Sequence, residues 1–228
     1  MDGTGFVPAR SGVGHRRRTA IGDRPSTERG KRTRAQLLAA ARTVFERDGY
    51  LDARVADIAA LAGIAHGSFY TYFDSKAAIF RTLINDVMES GLYAPREPRP
   101  ATGGAPSLAE AWARIEADNR RYLAIFRRDR ALMGLFEQVA SFDPELRAYR
   151  IELRRRTAAR AAAGLRRLQE WGLADRELDP DTASLALSAM VGNYVYYWQV
   201  MGIEAEEEHV VEQLTRLWAR AIGLAEPS

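Results

Sequence analysis

Residues 55–73 read VADIAALAGIAHGSFYTYF, and this stretch governs the fold that we expect of the chain. Two short helical segments flank a turn at Gly63, which is the spacing of a helix-turn-helix. Ala59 is small where the second helix must cross the first, and we expect a side chain at Gly63 to clash in the turn. The apolar residues that would fix the angle between the two helices are Val55, Ile58, Ile64 and Phe69.

Helical periodicity continues on both sides of this motif. Upstream, apolar residues at three- and four-residue spacing predict a helix over Lys31–Asp48, which Gly49 ends. Downstream, a similar stripe predicts a helix over Ser75–Ser90. These elements make four helices in the first 91 residues. No stretch alternates convincingly between apolar and polar residues, so we expect an all-α fold.

The second half of the chain has its own helix signals. Residues 92–106 contain four prolines and two adjacent glycines, which predict a loop or an inter-domain link. Ser107 with Glu110 forms a capping-box pattern, and Asp-Pro pairs at 143–144 and 179–180 begin further helices. The helices expected here, about nine in the whole chain, are Leu108–Arg128, Arg130–Ser141, Pro144 to about Trp171, Pro180 to about Met201 and Glu206–Leu224.

Charge is distributed unevenly along the chain. Nine lysine and arginine residues against three acidic ones give residues 1–34 a charge of +6, whereas the remaining residues carry −3. A basic end on an acidic body is typical of a protein that binds a polyanion. The alternative for the first 25 or so residues is a solvated, disordered tail.

Composition excludes several function classes. The chain has no cysteine, which excludes disulfides, thiolate metal sites and cysteine nucleophiles and fits a cytoplasmic location. Nothing resembles a signal peptide or a membrane span, so we expect no membrane partner. The three histidines, His15, His66 and His209, are far apart, and the sequence has no hydrolase, zinc-protease or phosphate-loop motif. We therefore expect neither an enzyme nor a metal or cofactor site.

From Lys31 to Leu83 the sequence resembles the DNA-binding domain of the TetR family of transcriptional regulators. Composition without apolar periodicity predicts a disordered basic arm at 1–28. The resemblance implies a three-helix DNA-binding domain at 29–75 and a helical ligand-binding and dimerisation domain at 76–228. The residues that carry it are Ala41, Phe45, Gly49-Tyr50, Val55, Asp57-Ile58-Ala59, Ala62-Gly63-Ile64, Gly67-Ser68-Phe69-Tyr70, Tyr72-Phe73 and Ser75-Lys76.

The resemblance also implies which side chains contact DNA. His66, Ser68 and Thr71 fall where the recognition helix meets base edges, with Gly67 between them, although His66 could instead be an ordinary exposed histidine. Phe69 and Phe73 are expected to point inward. The phosphate contacts are assigned to Tyr70, Tyr72 and Lys76 in the motif and to Arg54. Before the motif, Lys31, Arg32 and Arg34 are expected to contact phosphates or the minor groove, and Arg16–Arg18 are expected to extend this basic arm.

Two positions depart from the family pattern. Ala53-Arg54 replaces the usual threonines, which exchanges a hydroxyl contact for an arginine–phosphate contact and leaves Asp52 as a candidate helix cap. Ala65 replaces a serine and removes the expected N-cap of the recognition helix, a loss of about 1 kcal/mol. Operator preference therefore cannot be copied from a relative.

The helix Leu108–Arg128 carries a candidate ligand-binding face. Four of the five residues on this face are apolar or aromatic, and Asn119 must either pair with a neighbouring helix or point at a ligand. For the aromatic residues, the alternative is an ordinary hydrophobic core. The candidate ligand-binding residues are Trp112, Ile115, Asn119, Tyr122 and Phe126, with Met133, Phe136, Tyr149, Met190, Tyr194 and Trp198 further along the chain.

The last two helices are expected to form a homodimer. They contain apolar stripes that include Gly192, Val210, Leu214 and Ile222, and in the family such a pair builds a four-helix bundle with its symmetry mate. We therefore expect a repressor that binds a palindromic operator in double-stranded DNA and is released by a small, largely apolar effector. The alternative is an architectural nucleic-acid-binding module without ligand control.

Overall fold

The computed structural model describes residues 27–94 and 104–227, and within these segments the chain forms helices and no strand. The predicted all-α fold is therefore confirmed. None of the helices in the described segments is long and apolar enough to cross a membrane. The nine helices of the described segments are α1 (Glu28–Asp52), α2 (Val55–Leu61), α3 (His66–Phe69), α4 (Lys76–Ser90), α5 (Leu108–Arg128), α6 (Arg130–Val139), α7 (Pro144–Glu170), α8 (Pro180–Gln199) and α9 (Glu207–Ala221).

Side-chain caps start most of the long helices. The Ser75 hydroxyl accepts a hydrogen bond from the backbone N–H of Ala78 at the start of α4. The predicted capping box at Ser107 is present, because the Glu110 carboxylate in turn accepts from the Ser107 N–H at 2.7 Å. The Asp-Pro pairs at 143–144 and 179–180 begin α7 and α8 as predicted, each with the aspartate as N-cap.

Helix α1 changes direction at Gly49. The regular helix ends there as predicted, but the chain adds one further short turn that reaches Asp52. Gly49 has φ 74° and ψ 176°, a backbone conformation that is essentially reserved for glycine. The kink therefore fixes the direction in which the chain enters α2.

One continuous hydrophobic core joins the N-terminal helices to the rest of the molecule. Phe45 of α1 contacts Phe80 of α4 edge to face, with ring centroids 4.9 Å apart. Phe80 in turn lies 6.5 Å from Phe136 of α6, and all three rings are almost fully buried. Helix α1, against which α2 packs, is thus anchored directly on α4 and α6.

A buried carboxylate links the same two regions. Asp129, at the junction of α5 and α6, is only 5% exposed. Its side chain accepts a hydrogen bond from Arg42 of α1 at 2.7 Å and another from its neighbour Arg128 at 2.7 Å. Because two guanidinium groups compensate its charge, the carboxylate is stable below the surface.

The longer helices build the C-terminal body. Helix α7 packs along α8, and α5 packs along α9. The second, smaller core cluster includes Leu165, Ile222 and Leu224. Between the walls formed by α5 and α7, packing is incomplete and a cavity remains.

Candidate DNA-binding surface and candidate ligand cavity

Close packing of small and aromatic residues fixes α2 against α3. Ala59 is 1% exposed, consistent with the expectation that it must be small where the helices cross. Phe69 of α3 is fully buried and contacts Phe73, with ring centroids 5.9 Å apart. The turn is closed by the N–H of Ile64, which donates to the carbonyl of Ala59 at 3.0 Å. The geometry is that of a helix-turn-helix.

Gly63 is required in the turn for its backbone conformation. Its φ is +70°, a left-handed value that side chains disfavour. A Cβ atom at this position would meet nothing within 4 Å, so the expectation of a side-chain clash at Gly63 is wrong. Backbone strain is the reason for a glycine here.

The outer face of α3 is open to solvent. His66, Gly67, Ser68, Tyr70 and Thr71 are all exposed, as a surface that contacts base edges and phosphates requires. The rings of His66 and Tyr70 lie edge to face with centroids 5.6 Å apart. Tyr72 differs from them, because it is half-buried and packs against the core.

The two departures from the family pattern have simple structural outcomes. Ala65 is the N-cap residue of α3 and makes no side-chain cap, as its identity predicts. Arg54 is the N-cap residue of α2, also without a side-chain cap, so Asp52 does not take over this role. Arg54 is exposed beside α2 and is accessible to a phosphate.

Lys76 occupies a position different from the one expected. Its ammonium group donates to the backbone carbonyls of Tyr50, Leu51 and Ala53 at 2.6, 3.1 and 3.0 Å, and it lies 4.6 Å from the centroid of the Tyr50 ring. Burial lowers the pKa of Lys76 below its ordinary value. Because an ammonium has three N–H donors, these carbonyls occupy all of them. We therefore correct the predicted phosphate contact at Lys76 to a structural role.

The basic segment before the motif is only partly free. The Lys31 ammonium contacts the Glu28 carboxylate at 2.7 Å, and Arg34 stacks on the Phe73 ring at 5.2 Å. Arg32 is exposed near the turn that contains Gly63. The predicted arm before Thr27, including Arg16–Arg18, lies outside the described residues.

The stripe predicted for dimerisation on α9 is used within the chain. Val210 and Leu214 are buried in the main core and Ile222 in the smaller cluster, while Leu217 remains exposed. Gly192 of α8 is also buried, because the Arg154 guanidinium passes across it. The exposed apolar residues near this side of the molecule are Leu185, Tyr194, Tyr197, Met201 and Leu217.

A cavity of about 880 Å³ lies between α5 and α7, with contributions from α8 and α9. Its size falls in the range of sites for drug-sized ligands. The α7 wall contains Ala161 and Gly164, and a Cβ atom at Gly164 would meet nothing within 4 Å. These small residues therefore leave space that larger side chains would fill. The aromatic residues of the wall are Tyr93, Tyr122, Trp171 and Trp218.

Several polar side chains lie among the apolar residues of the cavity wall. Asn119 of α5 is buried and its amide nitrogen donates to the Thr215 hydroxyl of α9 at 3.1 Å. The Thr157 hydroxyl lies 2.9 Å from that of Tyr93. Burial raises the pKa of Tyr122 to about 12, so its phenol stays protonated at neutral pH.

Comparison with known proteins identifies the origin of this architecture. Residues 37–83 match the model of the family described as bacterial regulatory proteins, tetR family. The chain belongs to the TetR family. It is accordingly a helix-turn-helix transcriptional regulator.

Individual relatives of this regulator match it over different lengths. YdgC of Bacillus subtilis, an uncharacterised HTH-type transcriptional regulator, is 47% identical over 58 residues, or 25% of this chain and 30% of YdgC. EthR of Mycolicibacterium smegmatis, also an HTH-type transcriptional regulator, is 28% identical over 214 residues, 90% of this chain and 93% of EthR. The solved structure of NalD from Pseudomonas aeruginosa has a TM-score of 0.64 at 20% identity, over 84% of this chain and 98% of NalD.

Three of the predicted ligand-binding residues of this TetR-family regulator line the cavity: Ile115, Asn119 and Tyr122. For Asn119, the structure shows the first of the two roles expected, pairing with a neighbouring helix, on the wall of the cavity itself.

The other predicted ligand-binding residues do not line the cavity. Phe126, Met133 and Phe136 are buried in the main core, and Tyr149, Met190 and Trp198 pack against it. Trp112 donates its indole N–H to the carbonyl of Ala225 at 2.8 Å, and Tyr194 is 39% exposed. The core alternative therefore describes most of these aromatic side chains.

Sequence reasoning missed most of the α7 wall. Thr157, Arg160, Ala161, Gly164 and Leu168 line the cavity at helical spacing. One signal was present in the sequence, because Ala161 and Gly164 are small residues on the same side of a long helix. Small residues there indicate either close helix packing or free space, and only the structure distinguishes the two.

Proposed function

We propose that this regulator is a dimeric repressor that binds a palindromic operator and is released by a small, largely apolar effector. The observation that carries the proposal is the cavity of about 880 Å³ in the C-terminal body. An architectural nucleic-acid-binding module, the alternative, has no need of such a cavity. A ligand that fits only one arrangement of the two recognition helices would release DNA through its differential affinity for the two states.

In this proposal the exposed face of α3 reads the operator. His66, Gly67, Ser68 and Thr71 would lie against base edges in the major groove. Phosphates would be bound by side chains around this face, which fix the orientation of the protein on DNA. These side chains are Tyr70, Tyr72, Arg54, Lys31, Arg32 and Arg34.

The proposed dimer uses the exposed apolar side chains of α8 and α9. Leu185, Tyr197, Met201 and Leu217 are each about half exposed or more, which leaves apolar surface for a second copy of the chain to cover. A two-fold dimer would place its recognition helices in successive major grooves, about 34 Å apart. Such spacing calls for an inverted repeat.

Repression is the direction of control that we propose. NalD is described as the secondary repressor of a multidrug efflux pump in its organism. Extension of that role to this chain is our proposal, together with action in the cytoplasm, where bacterial DNA lies, and the absence of catalysis.

A gel shift with the DNA upstream of the gene tests operator binding. We expect nanomolar, salt-sensitive binding to an inverted repeat there. Arg54→Met should weaken binding and reduce the slope of log affinity against log salt by about one, because one phosphate contact is lost. Arg155→Met, which removes an exposed arginine from α7, is the matched control and should leave the slope unchanged. Failure to bind any inverted repeat would contradict the proposal.

Gly164→Phe tests control by the cavity. The ring would enter empty space, so DNA affinity should stay at the wild-type value. A screen of metabolites for thermal stabilisation should find a ligand for the wild type and for Gly164→Ala, and the phenylalanine variant should lose that stabilisation. Wild-type stabilisation of Gly164→Phe by the same ligand would place the effector elsewhere.

A further inference from the structure

We propose that the effector carries a negatively charged group on its apolar body and that Arg160 binds this charge. The inference rests on the proposed function, because it assumes that the cavity holds the effector. It adds a chemical class, an organic anion such as a carboxylate with an aliphatic or aromatic body.

Arg160 is part of the cavity wall. It lies on α7 and is half-buried, with its guanidinium carbon 5.4 Å from the centroid of the Tyr93 ring. Arg156, one turn earlier, lies closer to the same ring at 3.8 Å and pairs with the Glu89 carboxylate at 2.6 Å. Among the described residues no carboxylate pairs with Arg160, which lines the cavity.

Positive side chains outnumber negative ones among the described residues around the cavity. Three arginines, Arg114, Arg160 and Arg167, line it against two carboxylates, Glu110 and Asp118. Glu110 accepts hydrogen bonds from Ser107 in the capping box, and Asp118 lies 3.9 Å from Arg114 on the same helix. Both carboxylates are therefore engaged by the α5 segment itself. A cavity with surplus positive charge attracts anions and disfavours cations.

The hydrogen-bond donors on the wall suit a carboxylate. A guanidinium offers parallel N–H groups that match the two oxygens of a carboxylate. Tyr122 adds a neutral phenol on the wall, which can donate to an oxygen of the ligand. No hydrogen bond within the described residues occupies that hydroxyl.

The cavity wall beyond Arg160 leaves room for an apolar body. Ala161 and Gly164 follow it along α7 and leave open space, and Leu168 and Trp171 continue the same side of the helix. An anion bound at Arg160 would therefore place its apolar body along this stretch. Burial of that body would supply most of the affinity.

The test compares three probes of equal chain length by isothermal titration calorimetry on the full chain: decanoate, decanol and decyltrimethylammonium. We expect decanoate to bind at least about tenfold more tightly than the other two. Arg160→Met should lower decanoate affinity by about tenfold or more, since a hydrogen bond to a charged group is lost, and should leave decanol unaffected. The decanoate affinity of Arg160→Lys should lie between those of the wild type and Arg160→Met, because lysine keeps the positive charge but lacks the paired N–H groups of a guanidinium.

The outcomes of this experiment distinguish failure of the anionic effector from failure of the proposed function. Arg155→Met removes an exposed arginine from the same helix and should bind decanoate like the wild type. Equal binding of decanol or of the cation, or unchanged decanoate affinity in Arg160→Met, would overturn the anionic effector and leave ligand control standing. If none of the three probes binds, the apolar cavity as an effector site is overturned too, while the gel shift still reports operator binding.

Discussion

At the scale of the residue, Lys76 stabilises the backbone beside the candidate DNA-binding surface, although its own ammonium group is not available to DNA. Its ammonium group binds the carbonyls that the kink at Gly49 releases from the helical pattern. The Tyr50 ring beneath it packs on Phe45 and Phe80. Lys76 therefore connects the start of α4 to the segment that leads into α2.

We predict that Lys76→Met destabilises the protein by about 2 kcal/mol, because three carbonyl groups, two of them in partly buried hydrogen bonds, lose a charged donor. Urea denaturation measures this change. The salt dependence of operator binding should keep its wild-type slope, since no phosphate contact is removed. Lys76→Arg, which retains the charge, is the control and should recover part of the stability. A reduced salt-dependence slope with unchanged stability in Lys76→Met would instead support a phosphate contact at Lys76.

At the scale of the element, the kink in α1 is the feature with the strictest backbone requirement. Gly49→Ala should cost about 1–3 kcal/mol, because its φ of 74° with ψ of 176° is strained for any side chain. Operator affinity should also fall, since the direction of entry into α2 changes. Thermal denaturation and the gel shift measure the two effects.

Gly164→Ala is a matched comparison for this prediction. Gly164 lies in a regular stretch of α7 where a Cβ meets nothing, so alanine should raise stability by about 0.5–1 kcal/mol. The two substitutions are chemically identical and should have opposite signs. If both substitutions changed stability equally, helix propensity and not the kink would govern the effect of Gly49→Ala.

Local patterns predicted most elements of the fold, because caps and turns depend on residues close in sequence. Ser107 with Glu110 and the Asp-Pro pairs define helix starts by themselves. The role of Lys76 was missed because its acceptors lie 23 to 26 residues away and are free only through a kink. The cavity was mostly missed for a similar reason. Tyr122 and Phe126 lie one turn apart on α5, yet only Tyr122 faces the space that α7 leaves.

At the scale of the whole molecule, the helix-turn-helix and the C-terminal body share one core. Successive aromatic contacts among Phe45, Phe80 and Phe136 connect the two regions. The hydrogen bond from Arg42 to Asp129 is a second connection between them. Displacement of α6 would therefore strain α1 directly. We expect effector and operator to oppose each other through this packed contact.

Buried tyrosines give the whole molecule an alkaline limit of stability. Burial raises the pKa of Tyr122 to about 12 and also raises the pKa values of Tyr93 and Tyr149 above their ordinary value of 10. Above pH 10 the unfolded chain releases these protons while the folded chain keeps them. The contribution of these tyrosines to the free energy of unfolding should therefore be fully present below pH 10 and be lost as the pH rises towards 12.

Urea denaturation across this pH range, together with tyrosinate absorbance, checks the prediction. Tyr122→Phe removes one titrating group and should make the decline shallower. A free energy of unfolding that stays constant up to pH 12 would contradict it.

The open space beside the α7 wall of the cavity affects how the ligand specificity of such a regulator can evolve. Ala161 and Gly164 shape the space by the side chains that they lack, and substitution at Gly164 meets no neighbour. Point mutations there can resize the site one methyl group at a time while the core and the recognition helix stay intact. A duplicated gene could in this way acquire a new inducer within a few mutational steps and keep its inherited operator.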